Sequence, residues 1–226
     1  CFDVSAACSG FITALDIAAS MLKAGSYKYA LVIGSEKMSE IVNWKDRSVC
    51  VLFGDGAGAV VLKAVDNNTE DDTGVSVGHE RGIIDSNIYN DGTGASVLTG
   101  GRRFSDSCST EIFIHMDGQE VFKFAVKSVP TAIETLLHNN NMDVNDVDKF
   151  ILHQANVRII ESVAKRLKAD KDKFPVNLNE YGNTSSASIP ILLDELNRNG
   201  SLKQGEKLVL AGFGAGLSWG SILLVW

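Results

Sequence analysis

The chain has 226 residues, 45% of them hydrophobic and 22% charged, which suits a globular protein with a sizeable core in one large domain or two fused similar halves. A formal net charge of −7 argues against a general nucleic-acid binder, which needs an excess of Lys and Arg to neutralise phosphates. No apolar run approaches the ~20 residues of a membrane helix and no basic-then-apolar leader opens the chain, so no membrane association is expected and the protein reads as soluble and cytoplasmic.

Residues Phe2 to Ser5 read as a short strand and Ser9 to Ala24 as a helix, with Phe11, Ile12, Leu15, Ala18, Ala19 and Leu22 at helical spacing and Gly25 as its stop. Tyr29 to Ile33 reads as a buried strand ended by Gly34, and Cys50 to Phe53 and Ala57 to Val65 as strands around Gly54-Asp55-Gly56. Asp66 to Gly74 is a polar turn, and Ile83 to Ser109 a long irregular excursion. After a strand Glu111 to His115, Asp117 and Glu120 have capping-box spacing and open a helix towards Asn139 that Pro130 kinks. There follow strand Lys149 to Leu152, helix Asn156 to Leu167, strand Pro175 to Leu178, helix Ser185 to Asn199, strand Lys207 to Ala211 and strand Ser218 to Trp226. The order is α/β throughout.

Two stretches of this string match. A loop with Cys8, a helix, Gly25, a strand, Gly34, Phe53-Gly54 and an apolar strand parallel a loop with Asn183, a helix, Gly200, a strand, Gly212, Phe213-Gly214 and an apolar strand. Cys8 to Gly25 and Asn183 to Gly200 both span 17 residues, which puts Cys8 and Asn183 at equivalent positions. The second copy has far more chain before its loop, so the first is expected to lack its opening portion and the chain to be a fragment. The expected units are 1–109, carrying Cys8, and 110–226.

Four cysteines, Cys1, Cys8, Cys50 and Cys108, form no C-x-x-C pair, and no His is spaced as a zinc ligand, so neither a disulfide framework nor a metal is expected. The triplets Asn67-Asn68-Thr69 and Asn183-Thr184-Ser185 matter as sequons only in a secreted chain. Cys8 sits at a strand-to-helix elbow among small residues, where a helix N-terminus lowers a thiol pKa, though a Cys beside alanines is more often an inert core residue. His153-Gln154-Ala155-Asn156 follows a strand end, and Asn183 lies in a Gly-flanked turn, so the three form a candidate Cys/His/Asn constellation. Gly212-Phe213-Gly214-Ala215-Gly216 reads as a turn able to aim N–H groups at an oxyanion, or as a plain tight turn. Gly54-Asp55-Gly56-Ala57-Gly58 fails as a dinucleotide fingerprint because a strand follows it. Arg158, Lys165 and Arg166 share a helix face, either solvated or suited to an acidic partner.

Asp3-Val4-Ser5-Ala6-Ala7-Cys8-Ser9-Gly10-Phe11, Phe53-Gly54-Asp55-Gly56-Ala57-Gly58-Ala59, His153-Gln154-Ala155-Asn156, Gly182-Asn183-Thr184-Ser185 and Trp219-Gly220-Ser221 together resemble the β-ketoacyl-acyl-carrier-protein synthase III family of the thiolase superfamily. The resemblance implies a thiolase-like fold of duplicated βαβαβ halves in α-β-α-β-α layers, a homodimer, and a missing N-terminal segment. It implies that Cys8 is acylated by an acyl-CoA (acyl-coenzyme A) and joined to malonyl-acyl carrier protein by decarboxylative condensation, without metal or redox cofactor. In it His153 and Asn183 bind the carrier thioester, and the backbones of Cys8 and Ala215 form the oxyanion hole. Arg47, Asn156 and Phe213 are similar to substrate or coenzyme A contacts, and Lys123, Arg158, Lys165 and Arg166 to the residues on which acyl carrier protein docks. Ala215 departs from the family's three glycines. Rival readings are a thiolase-fold acyltransferase or secondary-metabolite synthase, a papain-like protease with Cys, His and Asn in the same order, and a non-catalytic thiolase-fold scaffold.

Overall fold

Twice in this chain a short 3-10 elbow runs into a helix, and the helix into an antiparallel pair of strands. In the computed structural model, which describes residues 1–65, 81–100 and 113–226, the first such run is Ala7–Ser9, α1 (Gly10–Lys23), β1 (Tyr29–Glu36) and β2 (Gly56–Lys63). Next come β3 (Gly82–Asn90), β4 (Leu98–Thr99), β5 (His115–Met116), α2 (Gly118–Asn139), β6 (Lys149–Leu152), α3 (Val157–Leu167) and α4 (Leu178–Tyr181). The second run is Ser185–Ala187, α5 (Ser188–Arg198), β7 (Lys207–Gly214) and β8 (Ser218–Val225).

Helix α1 forms because its apolar positions recur on one face, burying Phe11, Ile12, Leu15, Ala19 and Leu22. Its end is set by Gly25, whose φ of +74° allows Gly25 N–H to reach Leu22 O and Ser26 N–H to reach Met21 O. Gly200, also at φ +74°, closes α5 by the same pair of bonds, to Asn197 O and Leu196 O. Asp117 caps α2 by accepting from the N–H groups of Gln119 and Glu120, while Glu120 pairs with Lys123. Helix α2 continues through Pro130. A proline there leaves the carbonyl four residues back, Val126 O, without its helical partner. Arg166 Nη1 from α3 donates to that oxygen at 3.4 Å.

Strands β1 and β2 form a two-stranded sheet, and β3-β8-β7-β6 a four-stranded one in which only β6 and β7 run parallel. Helices α1 and α5 lie between these sheets, with Phe11, Ile12, Leu15, Ile189, Leu192 and Leu210 in their shared core. Helices α2 and α3 cover the far face of the larger sheet around Phe150, stacked on Phe174 with centroids 4.6 Å apart. The order is β-α-β-α, four of the five expected layers. The outer face of the first sheet is bare among the described residues, with Leu31 62% and Val61 69% exposed.

Several local expectations change. Residues 2–5 form no strand, because none of the described strands pairs with them, and Phe2 is exposed. Strand β1 runs through Gly34 to Glu36 and buries only one face. Cys50 to Phe53 is turn, with Phe53 making a single parallel bridge to Asn183. Residues 175–177 form no strand, and Leu178 begins the short α4. Residues 82–90 are not irregular but form β3, which pairs along β8 and so joins the sheet of the second run although its number falls in unit 1–109. The expected turn at 66–74, the first sequon, Cys108 and the first two residues of the strand at 111–115 lie outside the described residues, and of the rest of that strand only His115 is in one, β5.

The glycines separate two kinds of cost. A Cβ on Gly34 would lie 3.0 Å from Ala187 Cα and Ser186 O, whereas one on Gly25 meets nothing within 4 Å. Gly34→Ala is expected to lower stability by about 1–3 kcal/mol through forced separation of β1 from the second elbow. Gly25→Ala should cost about 1–2 kcal/mol from its left-handed backbone alone, and only Gly34→Ala should also slow any reaction at the elbows. Thermal melts paired with an activity assay check both.

Candidate active site

Each elbow rests on the strand of the other run. Ala7 at φ +46° and Ser185 at φ +51° are the first residues of the two 3-10 turns, both held in the left-handed region that non-glycine residues rarely adopt. A Cβ on Gly214 of β7 would sit 2.9 Å from Cys8 N and Cys8 Cβ, and one on Gly212 would sit 3.4 Å from Cys8 O. Gly34 of β1 meets the Ser185–Ala187 turn in the same way. The matched pair is therefore Ala7 with Ser185 and Cys8 with Ser186. The equal count from Cys8 and Asn183 to their glycines arises because α1 has 14 residues and α5 has 11. Asn183 lies ahead of the second elbow.

Asn183 is fixed by its backbone, donating to Leu52 O at 2.9 Å and accepting from Gly54 N at 3.0 Å. Gly54 has to be glycine, since a Cβ there would fall 2.1 Å from Tyr181 O. The side-chain Oδ1 of Asn183 accepts from Ser185 N–H at 2.9 Å. Its Nδ2 meets no acceptor among the described residues and remains available as a donor. His153 follows β6 and is held by its own N–H on Ala211 O at 2.8 Å. Its ring stands edge-on to Phe213, centroids 5.3 Å apart, with Nδ1 2.7 Å from Ser188 Oγ.

Cys8, His153, Asn183, Phe213, Gly214 and Ala215 line one cavity of about 330 Å³ whose other walls include Leu52, Phe53, Leu98, Met116 and Phe122. The cavity is largely apolar with a few polar groups converging on it, the form of a small-molecule site. Its electrostatics differ from the elbow expectation for Cys8. Burial pushes the Cys8 thiol up from 9.0 to about 11; a hydrogen bond from Ser185 opposes this and the nearby Glu36 carboxylate adds to it. Desolvation outweighs the short helix N-terminus. Burial also pulls His153 down from 6.5 to about 3, against a backbone hydrogen bond with Ser185, so the imidazole is neutral near pH 7.

The family model described as "3-Oxoacyl-[acyl-carrier-protein (ACP)] synthase III" matches residues 2–92, and its C-terminal counterpart residues 137–226. The β-ketoacyl-[acyl-carrier-protein] synthase III of Clostridium acetobutylicum is 46% identical over all of this chain, which spans 67% of that protein. This chain belongs to the 3-oxoacyl-[acyl-carrier-protein] synthase III family. It has the thiolase-like fold and is a condensing enzyme, an acyltransferase of the kind that opens fatty-acid synthesis. The solved 3-oxoacyl-[acyl-carrier-protein] synthase III of Aquifex aeolicus superposes with a TM-score of 0.88 at 44% identity, covering 100% of this chain and 67% of that one. The priming β-ketosynthase of the R1128 polyketide pathway does so with 0.87 at 36%, covering 99% and 65%.

The structure brings some of the other expected residues to the synthase cavity and leaves some away from it. Gly212 to Gly214 belong to β7 rather than to a turn, and the turn proper is Ala215 to Leu217, tied to β3's end by Leu217 N–H on Asp91 O and Asp91 N–H on Leu217 O, both 2.8 Å. Asn156 lines the cavity, and its Oδ1 caps α3 by accepting from Arg158 N–H at 2.9 Å. Arg47 is exposed and does not line the cavity, although its neighbour Ser48 does. Lys123, Arg158, Lys165 and Arg166 are exposed on α2 and α3, Lys123 already paired with Glu120 at 2.7 Å. Among the described residues no group of three His, Cys, Asp or Glu is placed to hold a metal, and no helix is long and apolar enough to cross a membrane. Sequence reasoning missed Glu36, which lines the cavity and accepts from Ser186 N–H at 3.3 Å and from the Ser186 hydroxyl. Its place at the C-terminal end of β1 is the signal that singled out His153.

Two titrations follow from these environments. Unfolded, residue 153 binds a proton near pH 6.5, but the native site refuses it until about pH 3, so stability falls as pH drops through that window. His153→Gln should flatten that part of the acid unfolding curve. For Cys8 the native state keeps its proton between pH 9.0 and about 11 while the unfolded chain loses it, so stability falls as pH rises there. Alkylation of Cys8 in the substrate-free protein, followed by intact mass, should climb steeply over the same range; half-maximal alkylation near pH 7 would contradict the burial argument.

Proposed function

We propose that Cys8 carries the acyl group and that His153 and Asn183 serve the decarboxylation, with an acyl-CoA as first substrate and malonyl-acyl carrier protein as second. In the first stage Cys8 Sγ attacks the thioester carbonyl, the coenzyme A sulfur leaves, and the thiol proton goes with it in the net balance, so no free thiolate accumulates in this buried site. In the second stage the malonyl carbon–carboxylate bond breaks, carbon dioxide departs, and the electron pair becomes an enolate whose oxygen is held by His153 and Asn183. The enolate carbon then attacks acyl-Cys8, forming the carbon–carbon bond and breaking the Cys8 thioester, and the released Sγ takes up one proton from solvent to restore the thiol. The backbone N–H groups of Cys8 and Ala215 are the donors assigned to the oxyanion on the acyl carbonyl.

The observation that carries this reading is the hydrogen bonding of Asn183 and His153. In a protease-like triad the Asn orients the His; here Asn183 Oδ1 is held by Ser185 N–H and His153 Nδ1 lies against Ser188, so both side chains meet the cavity as separate neutral groups. Two donors with no carboxylate bonded to the ring suit an enolate oxygen better than proton abstraction from a nucleophile.

The division of labour is tested on single variants with two assays, acyl mass gain at Cys8 from acyl-CoA and carbon dioxide release from malonyl carrier protein. Cys8→Ser should abolish the mass gain. His153→Ala and Asn183→Ala should keep acylation and lose decarboxylation by about a hundredfold or more. Equal loss of both by Asn183→Ala would show that it orients the nucleophile instead.

Carrier docking is assigned to the exposed face of α2 and α3. Arg158→Glu and Lys165→Glu should weaken the carrier-dependent half-reaction and its salt sensitivity while sparing acylation from coenzyme A. Arg166→Glu should in addition lower the melting temperature, because it removes the donor to the carbonyl that Pro130 leaves unpaired.

A further inference from the structure

A neutral imidazole has one N–H, and the tautomer decides whether His153 meets a substrate oxygen with a donor or with a lone pair. The nitrogen that does not face the substrate sets that choice. Its partner is Ser188, the first residue of α5, 2% exposed, with Oγ 2.7 Å from Nδ1. The same Oγ accepts the backbone N–H of Gln154 at 3.2 Å. Gln154 is itself pinned, its Nε2 donating to Leu152 O at 2.8 Å and its Oε1 accepting from Asn177 N–H at 3.3 Å.

The hydroxyl carries a single hydrogen. Were Nδ1 protonated, Ser188 Oγ would accept from both Nδ1 and Gln154, and its own hydrogen would have no acceptor with hydrogen-bond geometry among the described residues. With the hydroxyl turned to Nδ1, the Ser188 hydrogen, the Nδ1 lone pair and the Gln154 N–H are all paired. Buried side-chain polar atoms are otherwise satisfied, Thr184 Oγ1 being the exception among the described residues.

We propose that Ser188 is a positioning residue: its hydroxyl, oriented by the Gln154 N–H, donates to His153 Nδ1 and keeps the ring proton on Nε2, ready to be donated to the thioester oxygen of the carrier-bound substrate. This rests on the assignment of His153 to decarboxylation. Ser188 touches no substrate in this scheme and acts only through the ring, whose plane Phe213 fixes from the side.

The test reads the tautomer directly and the reaction separately. In the ¹⁵N-imidazole spectrum of the wild-type chain at neutral pH, the His153 proton should be on Nε2, with Nδ1 at an unprotonated shift. Ser188→Ala should move the ring to a mixture of tautomers or to Nδ1–H, and Ser188→Thr, which keeps a hydroxyl, should hold Nε2–H. Carbon dioxide release from malonyl carrier protein should fall about tenfold to a hundredfold in Ser188→Ala, through kcat more than KM and short of the loss from deleting a whole donor. Acyl gain at Cys8 should be unchanged. A wild-type ring protonated on Nδ1, or an unaltered tautomer in Ser188→Ala, would overturn the proposal whatever the kinetics. Absence of decarboxylation in the wild type would strike the functional assignment instead and leave the tautomer result to judge Ser188.

Discussion

The crossed packing of the two elbows is the constraint on which the rest depends. Each 3-10 turn lies close against the strand of the opposite run, and a Cβ would fall 3.0 Å from the second elbow at Gly34 and 2.9 Å from Cys8 at Gly214. A side chain at Gly34 or Gly214 would push the elbow away from the strand it rests on. The close approach seats Cys8 beside β7 and fixes the second elbow, with Ser185, Ser186 and Ser188 in and just after it, at the end of β1. Cavity geometry and core packing are thus one arrangement, and the left-handed backbones at Ala7 and Ser185 are strain that this arrangement maintains.

The second consequence is electrostatic. Seating a thiol and an imidazole in a largely apolar cavity disfavours both charged forms, so the resting site holds a protonated Cys8 and an unprotonated His153. A neutral pair avoids the cost of burying an ion pair and leaves the imidazole able to donate one hydrogen bond without first losing a proton. In the proposed reaction charge appears only when substrate brings it, at the tetrahedral carbon or on the enolate, where donors already in place would meet it.

Around this centre the polar residues form a short chain of dependence. Glu36 holds Ser186, Ser185 N–H holds Asn183, and Ser188 holds His153, so the second elbow and the residue after it carry the orientation of both polar side chains. The first elbow carries Cys8 and, through the Ser9 to Ser218 hydroxyl contact at 2.7 Å and Ser218 to Ala215 O at 2.8 Å, is tied to the turn that bears Ala215. In the proposed reaction, acyl transfer and decarboxylation therefore draw on different elbows of one fold.

The sequence by itself determined the helices with strong apolar periodicity, their glycine stops at Gly25 and Gly200, the α/β order, and the motifs that carry Cys8, His153 and Asn183, since these rest on local spacing and turn chemistry. Tertiary structure decided what depends on partners distant in the chain. Residues 82–90 look like loop because their Asp, Ser and Asn are poor strand formers, yet β8 offers a full ladder for their backbone; Cys50 to Phe53 look like strand and find no ladder. Equal residue counts put Cys8 opposite Asn183, but the strained backbones at Ala7 and Ser185 show the true correspondence. The direction of the Cys8 shift was also beyond the sequence, because a helix N-terminus is a local feature whereas desolvation is the sum of everything packed around the sulfur.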